Sequence, residues 1–198
     1  SVFFSGSVCV CVCVCVRVCL FSFSYIILLH TRPFGCNHAY KEILEVVNKT
    51  NIPFTTSIHG KGIINENHPL SLEWCGMHGH AGANYALQES DCIIAIGSRF
   101  DDRTTGNLEK YAHKAKENKG IIHINIEPKE INRVVKSDYS LNTDCKYFLS
   151  KGIELLKFKK REYWSNRINY LKYRYEFHLK LSKKNENELH IEDILNRL

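Results

Sequence analysis

The sequence predicts an α/β protein built on a doubly wound parallel sheet. Two segments carry that expectation. Asp91-Cys92-Ile93-Ile94-Ala95-Ile96-Gly97 and Ile121-Ile122-His123-Ile124-Asn125-Ile126-Glu127 are apolar almost throughout, as strands buried on both faces are. Each is bounded by glycine or an acidic residue, and the intervening stretches carry helical periodicity, as the crossovers of a parallel sheet require.

In chain order, Asn37 can cap a first helix in which Ala39, Ile43, Val46 and Val47 share one face, with Leu44 flanking it. Pro53-Phe54-Thr55-Thr56-Ser57-Ile58 reads as a short buried strand closed by Gly60-Lys61-Gly62, and residues 63–76 read as a loop. A second helix is expected from about Gly82 to Glu89, and Pro128 suits the first turn of another running to about Lys136. A further helix, opened by Thr143 or Asp144, carries Phe148, Leu149, Ile153 and Leu156. Beyond Lys157, Trp164, Ile168, Leu171, Tyr175 and Leu179 are spaced 4, 3, 4 and 4, one stripe on a helix expected to pack against a neighbouring domain. The tail Glu188–Leu198 reads as the start of another element.

Composition is that of one globular domain, with 198 residues, 44% hydrophobic and 24% charged. The chain begins at Ser1 and its only methionine is Met77, so it is expected to be a fragment or an incomplete gene product. The net charge of +6 belongs to the tail: residues 151–184 hold eleven Lys/Arg against three Asp/Glu, whereas residues 38–150 hold thirteen against fourteen. A nucleic-acid-binding module using the basic, aromatic tail is an alternative of a different class, but the near-neutral centre and regular apolar stripe argue against it. Five of the nine cysteines, Cys9, Cys11, Cys13, Cys15 and Cys19, alternate mainly with valine. As a strand they share one face, which suits neither a disulfide framework nor a zinc site. Val-Cys-Val-Cys is what a (GT)n repeat yields when translated, and residues 1–34 are therefore expected to be non-native, translated repeat or intron sequence. A membrane span over Val8–Leu29 is the rival reading of that segment. Cys36, Cys75, Cys92 and Cys145 are scattered and read as a reduced, intracellular set.

Three segments sit where a parallel sheet presents its strand ends to ligands. In Gly76-Met77-His78-Gly79-His80-Ala81-Gly82, small residues opening a helix would let backbone N–H groups approach a diphosphate, although the spacing also fits a turn without a ligand. Gly97-Ser98-Arg99-Phe100-Asp101-Asp102-Arg103 sets two arginines and two aspartates directly after the strongest strand. Arginine can grip phosphate or carboxylate bidentately, with an aspartate fixing its orientation; a self-paired surface cluster is the bland alternative. Asn125-Ile126-Glu127 ends a strand with an acid able to accept hydrogen bonds from ribose hydroxyls. Cys75, His78 and His80 lack a second ligand pair, so no metal is expected here, and no P-loop, G-x-S-x-G elbow or H-E-x-x-H occurs.

Together, Gly76-Met77-His78-Gly79 with Ala83-Asn84-Tyr85-Ala86, the run Gly97–Gly106, the run Ile122–Ile131 and His68-Pro69-Leu70 resemble the central domain of the acetolactate synthase (acetohydroxyacid synthase) family. The resemblance covers about residues 35–155, and G-x-R-F-D-D-R distinguishes this family from other thiamine-diphosphate decarboxylases and oxidases, whose central domain is the alternative reading. The resemblance implies a three-domain catalytic subunit whose outer domains bind thiamine diphosphate and Mg2+ and whose middle domain holds FAD without net redox chemistry. The implied reaction decarboxylates pyruvate and joins the two-carbon unit to a second 2-keto acid, opening branched-chain amino acid (isoleucine and valine) biosynthesis. It also implies a homo-oligomer, in some members with a regulatory subunit, in plastid, mitochondrion or cytoplasm.

Carried onto this chain, the resemblance implies FAD contacts from Ser57, Ile58, His59, Cys75, Gly76, Met77, His78, Gly97, Ser98, Arg99, Asp101, Asn125, Ile126, Glu127, Glu130, Asp144 and Cys145. It implies that Arg103, with Asp102 beside it, meets the carboxylate of the second keto acid. The family usually has threonine at His80, aspartate at Asn125 and Glu127, and an apolar residue at His59. Its first strand and glycine-rich turn are expected to be replaced here by the valine–cysteine run, with Gly35 as a remnant. The family's thiamine-activating glutamate and Mg2+-binding G-D-G…N motif have no counterpart in the 198 residues, so the chain alone is expected to be inert. The domain plan is residues 1–34 outside the fold, 35–157 the FAD-binding domain, and 158–198 a basic helical linker.

Overall fold

The computed structural model describes residues 23–30, 39–156 and 161–175. Six strands form one parallel sheet: β1 (Ile26–His30), β2 (Phe54–Thr56), β3 (Ser71–Trp74), β4 (Cys92–Ile96), β5 (Ile121–Asn125) and β6 (Tyr139–Asn142). Their spatial order is β3-β2-β1-β4-β5-β6. The chain winds outwards from β1 through β2 and β3, then crosses back and winds the other way through β4, β5 and β6. Connections on either side of the β1–β4 boundary leave in opposite directions, which opens a crevice at the strands' carboxyl ends.

The helices are α1 (Tyr40–Thr50), α2 (Ala81–Glu89), α3 (Asp102–Thr105), α4 (His113–Glu117), α5 (Cys145–Leu155) and α6 (Glu162–Arg174), with 3-10 turns at Ile58–Gly60 and Pro128–Glu130. Because strand side chains alternate between faces, each apolar strand feeds two cores. Leu28, Phe54, Ile96, Ile122 and Ile124 pack beneath Ile43, Val47, Phe148 and Leu149 of α1 and α5. Ile27, Leu29, Ile93, Ala95 and Ile121 pack on the opposite face beneath Ala83, Ala86, Leu87 and Ala115 of α2 and α4, together with Trp164, Ile168 and Leu171 of α6. The expected doubly wound sheet is the observed one.

Several expectations are corrected. The boundary at residue 35 leaves out the central strand: Ile26–His30 pairs with β2 on one side and with β4 on the other, in register from Ile26 opposite Cys92 to His30 opposite Ile96. Asp91 sets that register, its carboxylate accepting the N–H groups of Ser24 at 3.0 Å and Tyr25 at 2.8 Å. The first strand is therefore present, hidden in sequence because it continues the apolar run from Val8, interrupted only by Arg17, Ser22 and Ser24. The valine–cysteine run, Gly35, Asn37, Leu179 and residues 188–198 lie outside the described residues.

The expected loop 63–76 contains β3, whose register against β2 shifts between Phe54 and Thr56. Pro128 opens a single 3-10 turn, Pro128–Glu130, where a helix to Lys136 was expected. The Trp164–Ile168–Leu171 stripe packs on α2 of this same sheet and not on a separate domain. Tyr25 meets Trp164 edge-on at 5.1 Å, Tyr85 stacks on Tyr175 at 4.7 Å, and Arg167 grips Glu89 bidentately at 2.6 and 2.7 Å.

Candidate functional site

The three segments read as strand-end ligand sites lie at the carboxyl edge of the sheet. After β2, Ser57 is buried and its hydroxyl, like that of Thr56, has no hydrogen-bond partner among the described residues. Ile58 and His59 follow on the exposed 3-10 turn. An orphaned buried hydroxyl is costly, so each of the two calls for a partner that the described residues do not supply.

After β3, Cys75 is buried and its thiol donates to the Thr56 carbonyl at 3.4 Å; burial pushes its pKa up to about 12, so it serves packing and not nucleophilic chemistry. Gly76 carries φ +113°, and a Cβ there would lie 2.4 Å from the Arg103 carbonyl oxygen. Glycine is required because two loop backbones touch at this point, sealed by the Met77 N–H donating to that same carbonyl at 2.7 Å. Asn84, one turn into α2, holds the Gly76 residue from the other side: its Oδ1 accepts the Gly76 N–H at 2.8 Å and its Nδ2 donates to the Gly76 carbonyl at 2.9 Å. Met77 and His78 are left exposed at the mouth. Cys75 and His80 diverge, since His80 turns to Glu73 at 2.6 Å, and no group of three metal-binding side chains occurs among the described residues.

After β4, next to the β1 boundary, Gly97 takes φ +63° and Ser98 is fully buried. Asp101 does not orient an arginine, as the sequence suggested; its carboxylate accepts the Thr104 N–H at 2.9 Å and caps α3. Arg99 turns instead towards Glu130, 3.5 Å away, which also receives Arg133 at 2.8 Å and keeps its buried Oε2 without a hydrogen-bond partner. Asp102 is exposed, and Arg103 extends along the crevice wall to 3.9 Å from the Met77 sulfur.

After β5, Asn125 is buried and double-ended: Oδ1 accepts the Glu127 N–H at 3.0 Å, and Nδ2 donates to the Ser98 carbonyl at 3.0 Å. Ile126 and Glu127 stand exposed, with Glu127 capping the 3-10 turn through the Lys129 N–H at 3.3 Å. Asp144 caps α5 by accepting the Tyr147 N–H at 3.1 Å, and the Cys145 side chain enters the core. These last two share the edge but follow β6, two strand spacings (roughly 10 Å) from β4.

Four contributors were given no site role in the sequence: Thr56, Asn84, His123 and Asn142, whose Nδ2 ties down the carbonyls of Asn125 and Ile126 at 2.9 and 2.8 Å. Only a folded backbone shows them: Asn84, His123 and Asn142 each bond a peptide group outside their own element, and the Thr56 hydroxyl is notable for lacking a partner among the described residues. The edge as a whole offers orphaned hydroxyls, glycine backbone, a cationic side chain and a carboxylate, a donor set matching the diphosphate and ribose of a dinucleotide. By contrast, a cavity of about 370 Å³ between β3, α2 and the end of α6 has internally satisfied walls: Glu73 pairs with His80, and Lys172 donates to the Pro69 carbonyl.

Residues 34–151 match the family model for the central domain of thiamine pyrophosphate enzymes. The chain is 47% identical over 120 residues to a probable acetolactate synthase large subunit of Methanococcus aeolicus, an overlap of 61% of this chain and 19% of that protein. It is 39% identical over 149 residues to the mitochondrial acetolactate synthase catalytic subunit of Saccharomyces cerevisiae, covering 71% and 22%. It is 40% identical over 123 residues to the chloroplastic acetolactate synthase 1 of Zea mays, covering 62% and 19%. The chain thus spans about a fifth of the length of these relatives.

Proposed function

The chain belongs to the thiamine pyrophosphate enzyme family as its central domain, and from that premise we propose that it is the FAD-binding part of an acetolactate synthase catalytic subunit. The observation that carries this reading is the meeting of the Gly76–Met77 backbone, the Gly97–Arg103 loop and the Asn125–Glu130 turn at one edge. The residues present fit the flavin dinucleotide. Thr56, Ser57 and the backbone near Gly76 and Ser98 would hold the diphosphate, Glu127 and Glu130 the ribose side, with Asn125 acting through the Ser98 carbonyl it bonds, and exposed Ile58, Met77 and Ile126 would flank the rings. Asp144 and Cys145 would act through the α5 turn.

In the whole enzyme, thiamine diphosphate with Mg2+ would supply the carbanion chemistry from other domains. This chain's contribution would be the wall bearing Arg103, whose guanidinium would receive the carboxylate of the second 2-keto acid, with Asp102 at the mouth. Homo-oligomerisation and a regulatory subunit belong to the same proposal. The test is to supply the purified chain with FAD, thiamine diphosphate, Mg2+ and pyruvate. The reading expects weak but measurable flavin binding and no acetolactate; a chain that binds no FAD refutes it, turnover by the chain alone refutes the expected inertness, and tight stoichiometric FAD refutes the expected weakness. In a complete catalytic subunit, Arg103→Ala should impair use of the second keto acid more than pyruvate decarboxylation.

A further inference from the structure

β5 is apolar except at two buried positions, His123 and Asn125, which point to the same side of the sheet because they are two residues apart. Both reach the same atom. His123 Nε2 lies 2.8 Å and Asn125 Nδ2 3.0 Å from the Ser98 carbonyl oxygen. A carbonyl only accepts, so the imidazole must carry its proton on Nε2, leaving Nδ1 as a bare acceptor; that atom is buried and has no partner among the described residues. The ring is braced edge-on by Phe100 at 5.0 Å, and the Phe100 N–H returns to Ser98 Oγ at 3.2 Å. A half-satisfied imidazole is a costly way to fill a core, where leucine would pack without penalty.

The consequence follows from peptide planarity. In a trans peptide the C=O and the next N–H point in opposite directions. With the Ser98 carbonyl drawn towards β5, the Arg99 N–H is turned away from β5, towards the gap at the β1–β4 boundary. We propose that His123 and Asn125 are positioning residues that fill both acceptor positions of the Ser98 carbonyl, so presenting the Arg99 N–H to an anionic oxygen of the dinucleotide. Neither touches that ligand through this role; both act through the 98–99 peptide. The proposal rests on the flavin reading for the identity of the anion, but the clamp stands or falls separately. Burial lowers the His123 pKa, which keeps the ring in the neutral form the clamp needs.

The experiment is heteronuclear NMR on the labelled 198-residue chain at pH 7. Expected is a neutral His123 ring protonated at Nε2; an Nδ1–H tautomer or an imidazolium overturns the clamp whatever the ligand. On titration with FAD, the Arg99 amide should shift. In His123→Leu the affinity should fall about tenfold, the loss of one hydrogen bond to an anion. His123→Gln, whose amide nitrogen reaches the same place as Nε2, should restore it. Thermal unfolding of both variants, followed in parallel, separates a lost peptide orientation from a lost fold. If other crevice amides shift while Arg99 stays silent, or if His123→Leu binds as the unaltered chain does, the positioning role is wrong and the flavin reading survives. If no amide responds to FAD, the flavin reading and the anion-receiving role fail together, and the ring tautomer still decides the clamp.

Discussion

Alanine at Gly76 should be far more damaging than a glycine replacement usually is. The added methyl would sit 2.4 Å from the Arg103 carbonyl oxygen and 3.2 Å from the Thr104 Cα, both backbone atoms with no side-chain freedom to yield. Retreat of the 103–104 segment would break the 2.7 Å bond from the Met77 N–H. Positive-φ strain contributes about 1–3 kcal/mol, overpacking about 1–3 kcal/mol, and the lost hydrogen bond about 1 kcal/mol. The expected total is about 3–7 kcal/mol, or roughly 6–28 °C in Tm for a chain of this size. Gly62→Ala is the matched control: its φ is +82°, yet nothing lies within 4 Å of the new methyl, so only the strain remains. Urea unfolding followed by circular dichroism measures both. Equal destabilisation of the two variants would refute the argument that the β3 and β4 loops are fused through Gly76.

Three further outcomes follow from the same structure. Trp164→Ala should destabilise by about 3–5 kcal/mol, read by denaturant unfolding, because this buried ring joins α6 to Tyr25 at the head of β1; an unchanged midpoint would mean that α6 is a free linker. Arg167 holds the Glu89 carboxyl below its ordinary pKa, so the unfolded chain binds more protons in that range. The pair's stabilisation is full above the ordinary carboxylate range and lost as pH falls through the lowered value; the stability gap between the chain and Glu89→Gln should therefore narrow on acidification, and a gap independent of pH contradicts the pairing. Asn84→Ala should loosen the Gly76 peptide, seen as faster amide exchange at Gly76 with little change at Gly62.

The sheet was legible where a strand is long, apolar on both faces and bracketed. Cys92–Ile96 and Ile121–Asn125 stand within a residue or two of expectation, and the α1, α2 and α5 faces follow their periodicity. Three strands escaped. β1 is masked by the apolar run before it, and β3 and β6 are four-residue edge strands too short and too mixed in polarity to show a pattern. The helix expected at Pro128 fails because Asn132 turns with φ +60° and accepts the Ser137 N–H and hydroxyl, redirecting the chain towards β6. At the site, the loops were visible through glycine and charge, but the pairings were not. Arg99 reaches across to Glu130, and Asp101 is consumed by a cap, because partner choice is decided by where neighbouring strands end. His123 read as part of an apolar strand for the same reason.

The most direct measurement is a map of amide shifts across the labelled chain as FAD is added. Responses should concentrate in Ser57–His59, Gly76–His78, Gly97–Arg103 and Asn125–Glu130, four loops far apart in sequence and joined only by the carboxyl edge of the sheet. Responses centred on the Glu73–Lys172 cavity or the Glu89–Arg167 face, with these loops silent, would contradict the flavin reading.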